Sequence, residues 1–259
     1  MPLAGERTPM KIAVAGGTGT VGAHIVDSLR TRGHEPVVLA RSTGIDLLDG
    51  AGLAAALDGV EVVIDASGTS ARSAAESIAF FSRTTTTLLA AETAAGIRHH
   101  VALSIVSMER SPNPYYAGKL AQEALIEQSP VPWTILRATQ FHEFAKQMFA
   151  TAKVGPLHVA PRMRTQPIAA REVGEHLVTL ALAPPSGRAA ELAGPRIEEL
   201  ADMVRAYARA IGSRAWIPRV SLPGDTAHAL RDGSLLPEGA AILGEQTFSE
   251  WLAEVAPRS

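Results

Sequence analysis

Residues 11–22, KIAVAGGTGTVG, constrain what this chain can become more than any other stretch. Ile12, Ala13, Val14 and Ala15 make the short apolar run that a strand buried on both faces requires. Glycines interrupt it at once, and Val21, Ile25 and Leu29 then recur at the spacing of one helical face. Strand, glycine-rich turn and helix together suit a phosphate. Glycine lets the backbone approach an anion, and the first helical turn offers unpaired N–H groups and a partial positive charge. Gly16, Gly19 and Gly22 stand three apart, unlike the G-x-G-x-x-G dinucleotide fingerprint. Taken alone, the pattern also describes a tight strand–helix turn that binds nothing, so the rest of the chain has to decide.

Beyond the first helix, strands and helices alternate regularly. That helix stops at Gly33, and a second strand over 37–40 has Pro36 at its mouth, where proline is tolerated. A brief third strand is expected over 45–46, then a helix over 51–57 capped by Asp49 and closed by Gly59. A fourth strand over 60–66 contains Asp65, which is given no chemistry. A long helix over 74–95 ends at Gly96, although its threonines 84–87 are poor helix formers that need tertiary packing. Strands over 100–105 and 133–136 flank a helix running from Tyr115 to about residue 128. This rhythm implies right-handed βαβ units and an α/β fold, a Rossmann-type doubly wound parallel sheet. Ligands of such sheets bind at the carboxyl ends of the strands, where Arg41, Ser67, Ser104 and the segment 138–141 all fall.

Composition narrows the function classes. With 259 residues, 46% hydrophobic and 19% charged, the chain buries one large core with at most a small appended lobe. A net charge of −2 gives no electrostatic reason for nucleic-acid binding, and the absence of cysteine excludes disulfides and thiolate chemistry. No apolar run approaches the ~20 residues of a membrane span. Residues 1–9 are polar and contain proline and glycine, so a disordered lead and a cytoplasmic protein are expected. Beyond residue 150 the pattern loosens into short elements: 154–159, a helix over 171–183, a strand near 191–193 and a helix near 197–211. A last helix starts at Thr247, with a capping-box spacing to Glu250. The expected organisation is a nucleotide-binding part over 10–150 and a substrate lobe over 151–259 packed on the same core.

Tyr115 and Lys119 are four apart and share a helical face. Reducing a carbonyl by hydride needs a proton donor at the developing alkoxide. A nearby ammonium lowers a tyrosine's pKa and can hold the nicotinamide ribose. Ser104, on a neighbouring strand end, could bond the same oxygen. Arg41, 19 residues after Gly22, sits where an acidic residue would hold a ribose 2′-hydroxyl and an arginine would accept a 2′-phosphate. His99 and His100 are adjacent on a strand and point to opposite faces, so no metal is expected. Gln140, Phe141 and His142 follow the last of these strands, where substrate should lie, with Phe141 as a wall. Arg162 and Arg164 in the lobe are either anion ligands or solvated surface residues.

The segments GGTGTVG, RSTGIDLLDGAGLAAAL, ALSIV and YYAGKLAQEALIEQSPVPWTILRATQFHEF, with ELAGP and TFSEWL later on, resemble NmrA-like, atypical short-chain dehydrogenases/reductases. The resemblance spans nearly the whole chain and implies a Rossmann fold binding NADP(H) beneath a small C-terminal substrate lobe. Carried over residue by residue, Gly16, Thr18, Gly19, Thr20 and Val21 would line the pyrophosphate and Arg41 would meet the 2′-phosphate. Asp46 would lie near adenine, Ala66 and Ser67 near the adenosine ribose, and Lys119 at the nicotinamide ribose. Ser104 lies 11 residues before Tyr115, closer than is usual for the family's triad, and Tyr116 is the alternative residue facing the site. Many NmrA-like proteins lack the tyrosine and act as redox sensors. The expected function is therefore an NADP(H)-dependent oxidoreductase acting on a small carbonyl, quinone or enone. A non-catalytic NADP(H) sensor is the alternative, and a nucleotide-sugar epimerase or dehydratase the third. The expected partners are a small-molecule substrate and a second copy of the chain or a regulatory protein, with neither nucleic acid nor membrane.

Overall fold

The computed structural model describes residues 8–111, 113–154, 157–221 and 231–256. Most of the lead over 1–9, and part of the element expected over 154–159, lie outside the described residues. Five parallel strands form the centre: β1 (Lys11–Ala15), β2 (Glu35–Leu39), β3 (Val62–Asp65), β4 (His99–Ile105) and β5 (Trp133–Ala138). Their spatial order is β2-β1-β3-β4-β5, so the chain reverses its direction of winding between β1 and β3. A crevice opens at such a reversal, outside the carboxyl ends of the strands. β2 is the edge strand, which explains how Pro36 is accommodated inside it.

The helices cover both faces. Helix α1 (Thr20–Thr31) packs against α6 (Ala170–Ala181) on one side, and α3 (Ala74–Ala95) against α4 (Pro114–Glu127) on the other. Strand alternation divides the core accordingly. Ile12, Val14, Val62 and Ile64 join Ile25, Leu29, Val173 and Leu177 on the first face. Ala13, Ala15 and Val63 meet Leu53, Leu57 and Leu88 on the second. The threonine-rich part of α3 is held by packing and by local bonds, since Thr84 and Thr85 are buried and the Thr84 hydroxyl donates to the Phe80 carbonyl. Ser73 and Glu76 cap α3 reciprocally, and Asn113 caps α4 with Pro114 in its first turn.

The strand expected over 45–46 does not form. The Asp46 N–H donates to the Ala51 carbonyl, and the Asp46 carbonyl accepts from Gly50. Its backbone groups are thus spent inside a turn in which Gly44, Gly50 and Gly52 all have positive φ, and none is left for a ladder. The helix expected over 51–57 shrinks to Leu53–Ala56 for the same reason, and Asp49 bonds the Ala51 N–H without capping it.

The C-terminal part does not stand apart from this sheet. Gly187–Arg188, Leu192–Ala193 and Ile242–Leu243 extend it beyond β5, completing eight strands. A second apolar cluster joins α7 (Leu200–Ala210) and the helix Phe248–Val255 to Met108, Tyr116 and Met163, centred on Tyr207 and Trp251. Thr247 and Glu250 form the capping box that their spacing predicts.

Candidate functional site

The glycine turn lies at the winding reversal. Gly16 adopts φ +73°, and a Cβ there would come within 2.6 Å of the Ala66 carbonyl oxygen at the end of β3. A Cβ on Gly22 would fall 2.0 Å from the Gly16 carbonyl oxygen. Both glycines are therefore required by close backbone approach. Gly19 differs: its φ is −81°, and a Cβ would meet only the Gly16 oxygen, at 3.1 Å. Gly19 therefore needs no left-handed backbone, and its missing side chain leaves space in front of the helix. No side chain caps α1, and Thr18, Gly19 and Thr20 are exposed. The first N–H groups of the helix thus point to open space with their dipole, an arrangement that fits a pyrophosphate. Val21 has only its backbone to offer such a ligand, because its side chain is buried in the core.

Arg41 is exposed directly after β2 and opens a short 3₁₀ turn, Arg41–Thr43. It occupies the position where a 2′-phosphate would be met, beside the same crevice. Asp46 is half-buried, and its Oδ1 accepts the Leu48 N–H at 2.8 Å. That oxygen is thus tied to its own turn.

Tyr115 and Lys119 do share a face of α4, and Phe81 of α3 touches both. The Phe81 ring meets Tyr115 edge-on at 5.4 Å and lies 4.6 Å from the Lys119 ammonium. The Tyr115 hydroxyl reaches Gly68, just beyond β3, at 3.1 Å from where a Cβ would stand. The expected lowering of the tyrosine pKa by lysine is not found. Burial, the Asp65 carboxylate and neighbouring Tyr116 push the Tyr115 phenol up to about 12. Lys119 is 3% exposed and fully occupied: its ammonium donates to the Leu103 carbonyl at 2.9 Å and to Gln122 Oε1 at 2.8 Å. The Ser67 carbonyl lies 3.5 Å away. Burial draws the Lys119 pKa down to about 8, opposed by the Asp65 and Glu123 carboxylates.

Two residues of this floor were not singled out from sequence. Asp65 is buried, accepting the Ser67 N–H through Oδ1 and the Gln122 Nε2 group through Oδ2, each at 2.8 Å. Gln122 stands three residues after Lys119 on the same helical face, and a carboxylate inside an apolar strand must find such a donor. Ser104 is not aimed at Tyr115 in this structure. Its hydroxyl approaches Met108 Sδ at 3.8 Å and bonds the Glu123 carboxylate. Burial would raise Glu123, but bonds from Arg137, Ser104 and Arg188 hold it below the usual carboxylate range.

Of the segment after β5, Gln140 is half-buried between lobe and core, donating to Tyr116 Oη at 3.4 Å and accepting from Thr165 at 2.7 Å. Tyr116 is thereby turned into the lobe core, so Tyr115 is the tyrosine that faces the β3 end. Phe141 is a partly buried wall against the main core. His142 corrects the expectation of substrate contact. It is 0% exposed, bonded through Nε2 to the Gln246 carbonyl and packed against Phe248 and Trp251. Glu143 beside it accepts the Trp251 indole N–H through Oε1 and lines a cleft of about 240 Å³ with His24, Arg171 and Gln246. Arg162 is exposed, and Arg164 is half-buried against Gly233. His99 bonds Thr134 and His100 bonds Glu92 on opposite sides of β4. Among the described residues no cluster could hold a metal.

No curated protein matches the chain by sequence. Solved structures share its fold. The NADPH-dependent quinone oxidoreductase QOR2 of Escherichia coli, complexed with NADPH, superposes with a TM-score of 0.70 at 17% identity, covering 94% of this chain and 99% of that one. A short-chain dehydrogenase/reductase superfamily protein of Agrobacterium tumefaciens with bound NAD gives 0.67 at 22% identity, covering 95% and 96%. The UDP-N-acetylglucosamine 4-epimerase of Bacillus cereus gives 0.68 at 17%, covering 96% and 98%. A family described as NAD(P)H-binding matches residues 16–184, the stretch that carries the glycine turn, Arg41, Tyr115 and Lys119. The chain belongs to this NAD(P)H-binding family, with the Rossmann fold of the short-chain dehydrogenases/reductases.

Proposed function

We propose that the chain is an NADP(H)-dependent oxidoreductase that reduces a small carbonyl, quinone or enone. The carrying observation is an uncapped, exposed start of α1 at the winding reversal with an exposed arginine at the end of the adjacent strand. The N–H groups of Thr20 and Val21, at the start of α1, hold the pyrophosphate, and Arg41 holds the 2′-phosphate through charge-assisted, bidentate bonds. When bound, the nicotinamide supplies a hydride. Tyr115 gives its phenolic proton to the substrate oxygen, and a pKa near 12 keeps that proton in place throughout the neutral range. Lys119 orients the ribose from the floor of the cleft.

One observation favours a second reading. Lys119 already spends its ammonium on the Leu103 carbonyl and Gln122 Oε1, and the tyrosine is not activated, as suits an NADP(H) sensor that performs no turnover. NADPH consumption measured against a panel of quinones, enones and aldehydes separates the two. Turnover with any of them supports the enzyme. Tight NADPH binding without consumption supports the sensor.

A further inference from the structure

Lysine is scarce in this chain: there are four, Lys11, Lys119, Lys146 and Lys153, against twenty arginines. Only Lys119 is buried. A buried ammonium is costly unless it is paired and fully bonded. The nearest bonding partners of Lys119 are neutral, and the opposing charge is one residue removed. Gln122 bridges them, accepting from Lys119 with its oxygen and donating to Asp65 with its nitrogen, both at 2.8 Å. The other Asp65 oxygen is fixed by the Ser67 N–H at 2.8 Å. One unbroken chain of bonds therefore runs from the lysine to the backbone turn after β3, the turn against which Gly16 packs.

We propose that Asp65 and Gln122 are positioning residues for Lys119, together fixing where its amine sits and sustaining its charge beneath the cofactor crevice. The proposal rests on the placing of Lys119 at the nicotinamide ribose. Other groups facing this lysine are few. From α4 come Tyr115, one turn earlier, and Glu123, which is engaged by Arg137 and Arg188. From α3 comes the apolar ring of Phe81, and β4 presents the Leu103 carbonyl. Glu92 of α3 and His100 of β4, bonded to one another at 2.8 Å, face Asp65. Asp65 is thus the larger of the two carboxylate charges that act on Lys119, with Glu123 the other, and it is the one joined to the lysine through Gln122; its carboxylate favours the ammonium over the amine.

The test uses the whole protein with isotopically labelled lysine, in which four side-chain signals are followed by nuclear magnetic resonance against pH. Lys119→Arg assigns the fourth. In wild type the Lys119 signal should titrate near 8, apart from the other three. Asp65→Asn keeps the shape and one acceptor for Gln122, and removes the charge together with the bond from the Ser67 N–H. The Lys119 midpoint should fall by about one to three pH units, the scale of a neighbouring opposite charge. Gln122→Met keeps the volume and breaks the bridge, and should also lower the midpoint. A wild-type midpoint at the ordinary lysine value overturns the proposal, as does a midpoint unmoved in Gln122→Met. Should Asp65→Asn not fold, Gln122→Met decides alone. A parallel NADPH titration keeps the functional reading separate. Affinity should weaken as pH rises through the Lys119 midpoint, and that limb should move with the signal in each variant. A resonance shift without a matching shift of the affinity limb leaves the relay standing and removes Lys119 from the cofactor.

Discussion

The two ends of the proposed site are built in opposite ways. At the glycine turn, donors point into open space: α1 has no side-chain cap, Thr18 to Thr20 are exposed, and Arg41 stands free of the sheet. At the floor beneath Tyr115 the charged groups are already engaged: Lys119, Gln122 and Asp65 are buried and joined in one chain of bonds. The first end is shaped for an anion before any arrives. At the second the protein already bonds the lysine, so any contact that Lys119 makes with a ligand must add to, or replace, a bond it already has. Binding and chemistry should therefore separate under mutation.

The largest effect is expected at the closed end. Tyr115→Phe removes only a hydroxyl, and turnover should fall about 10²–10⁴-fold, the range of general acid catalysis, with NADPH affinity unchanged. Steady-state kinetics and a cofactor titration on the same protein check this. Unchanged turnover would remove Tyr115 from the chemistry. A smaller effect belongs to the open end. Arg41→Ala should weaken NADPH binding by about 1.5–3 kcal/mol, roughly 10–150-fold, and leave NADH binding as it was. Equal losses for both cofactors would mean that Arg41 does not read the 2′-phosphate.

A third contrast lies within the turn. Gly22→Ala drives a Cβ into the Gly16 carbonyl and should cost about 1–3 kcal/mol of stability or more, seen in chemical denaturation. Gly19→Ala, with ordinary φ and open space beyond, should change stability by no more than about 0.5 kcal/mol. It should nevertheless weaken NADPH binding, since the added methyl occupies the approach to the helix start. If Gly19→Ala binds NADPH like wild type, the phosphate does not sit there.

The difference between the two ends also governs what sequence reveals. The open end is legible because its parts are contiguous: strand, glycines and helix lie within 11–22, and Arg41 follows at a fixed remove. The sheet is legible for the same reason, since strand and helix periods repeat along the chain. The strand expected over 45–46 failed because its two apolar-flanked residues give no hint that Asp46 closes a turn on Ala51. The closed end is assembled from β3, β4, α3 and α4, which sequence does not place together. Asp65 thus looked inert, and the partner of Lys119 was hidden although it stands three residues away. His142 was misplaced because a histidine after a strand end looks exposed, whereas Phe248 and Trp251, over a hundred residues later, enclose it. The strands that join the C-terminal part to β5 are only two residues long and carry no periodic signal at all.

A calorimetric titration of the wild-type chain with NADPH and with NADH tests most directly that the open end is preformed for a phosphorylated dinucleotide. One site per chain is expected, with NADPH bound at least about tenfold more tightly than NADH, the lower bound for a charge-assisted contact. Absence of saturable binding, or NADH bound as tightly as NADPH, would contradict it.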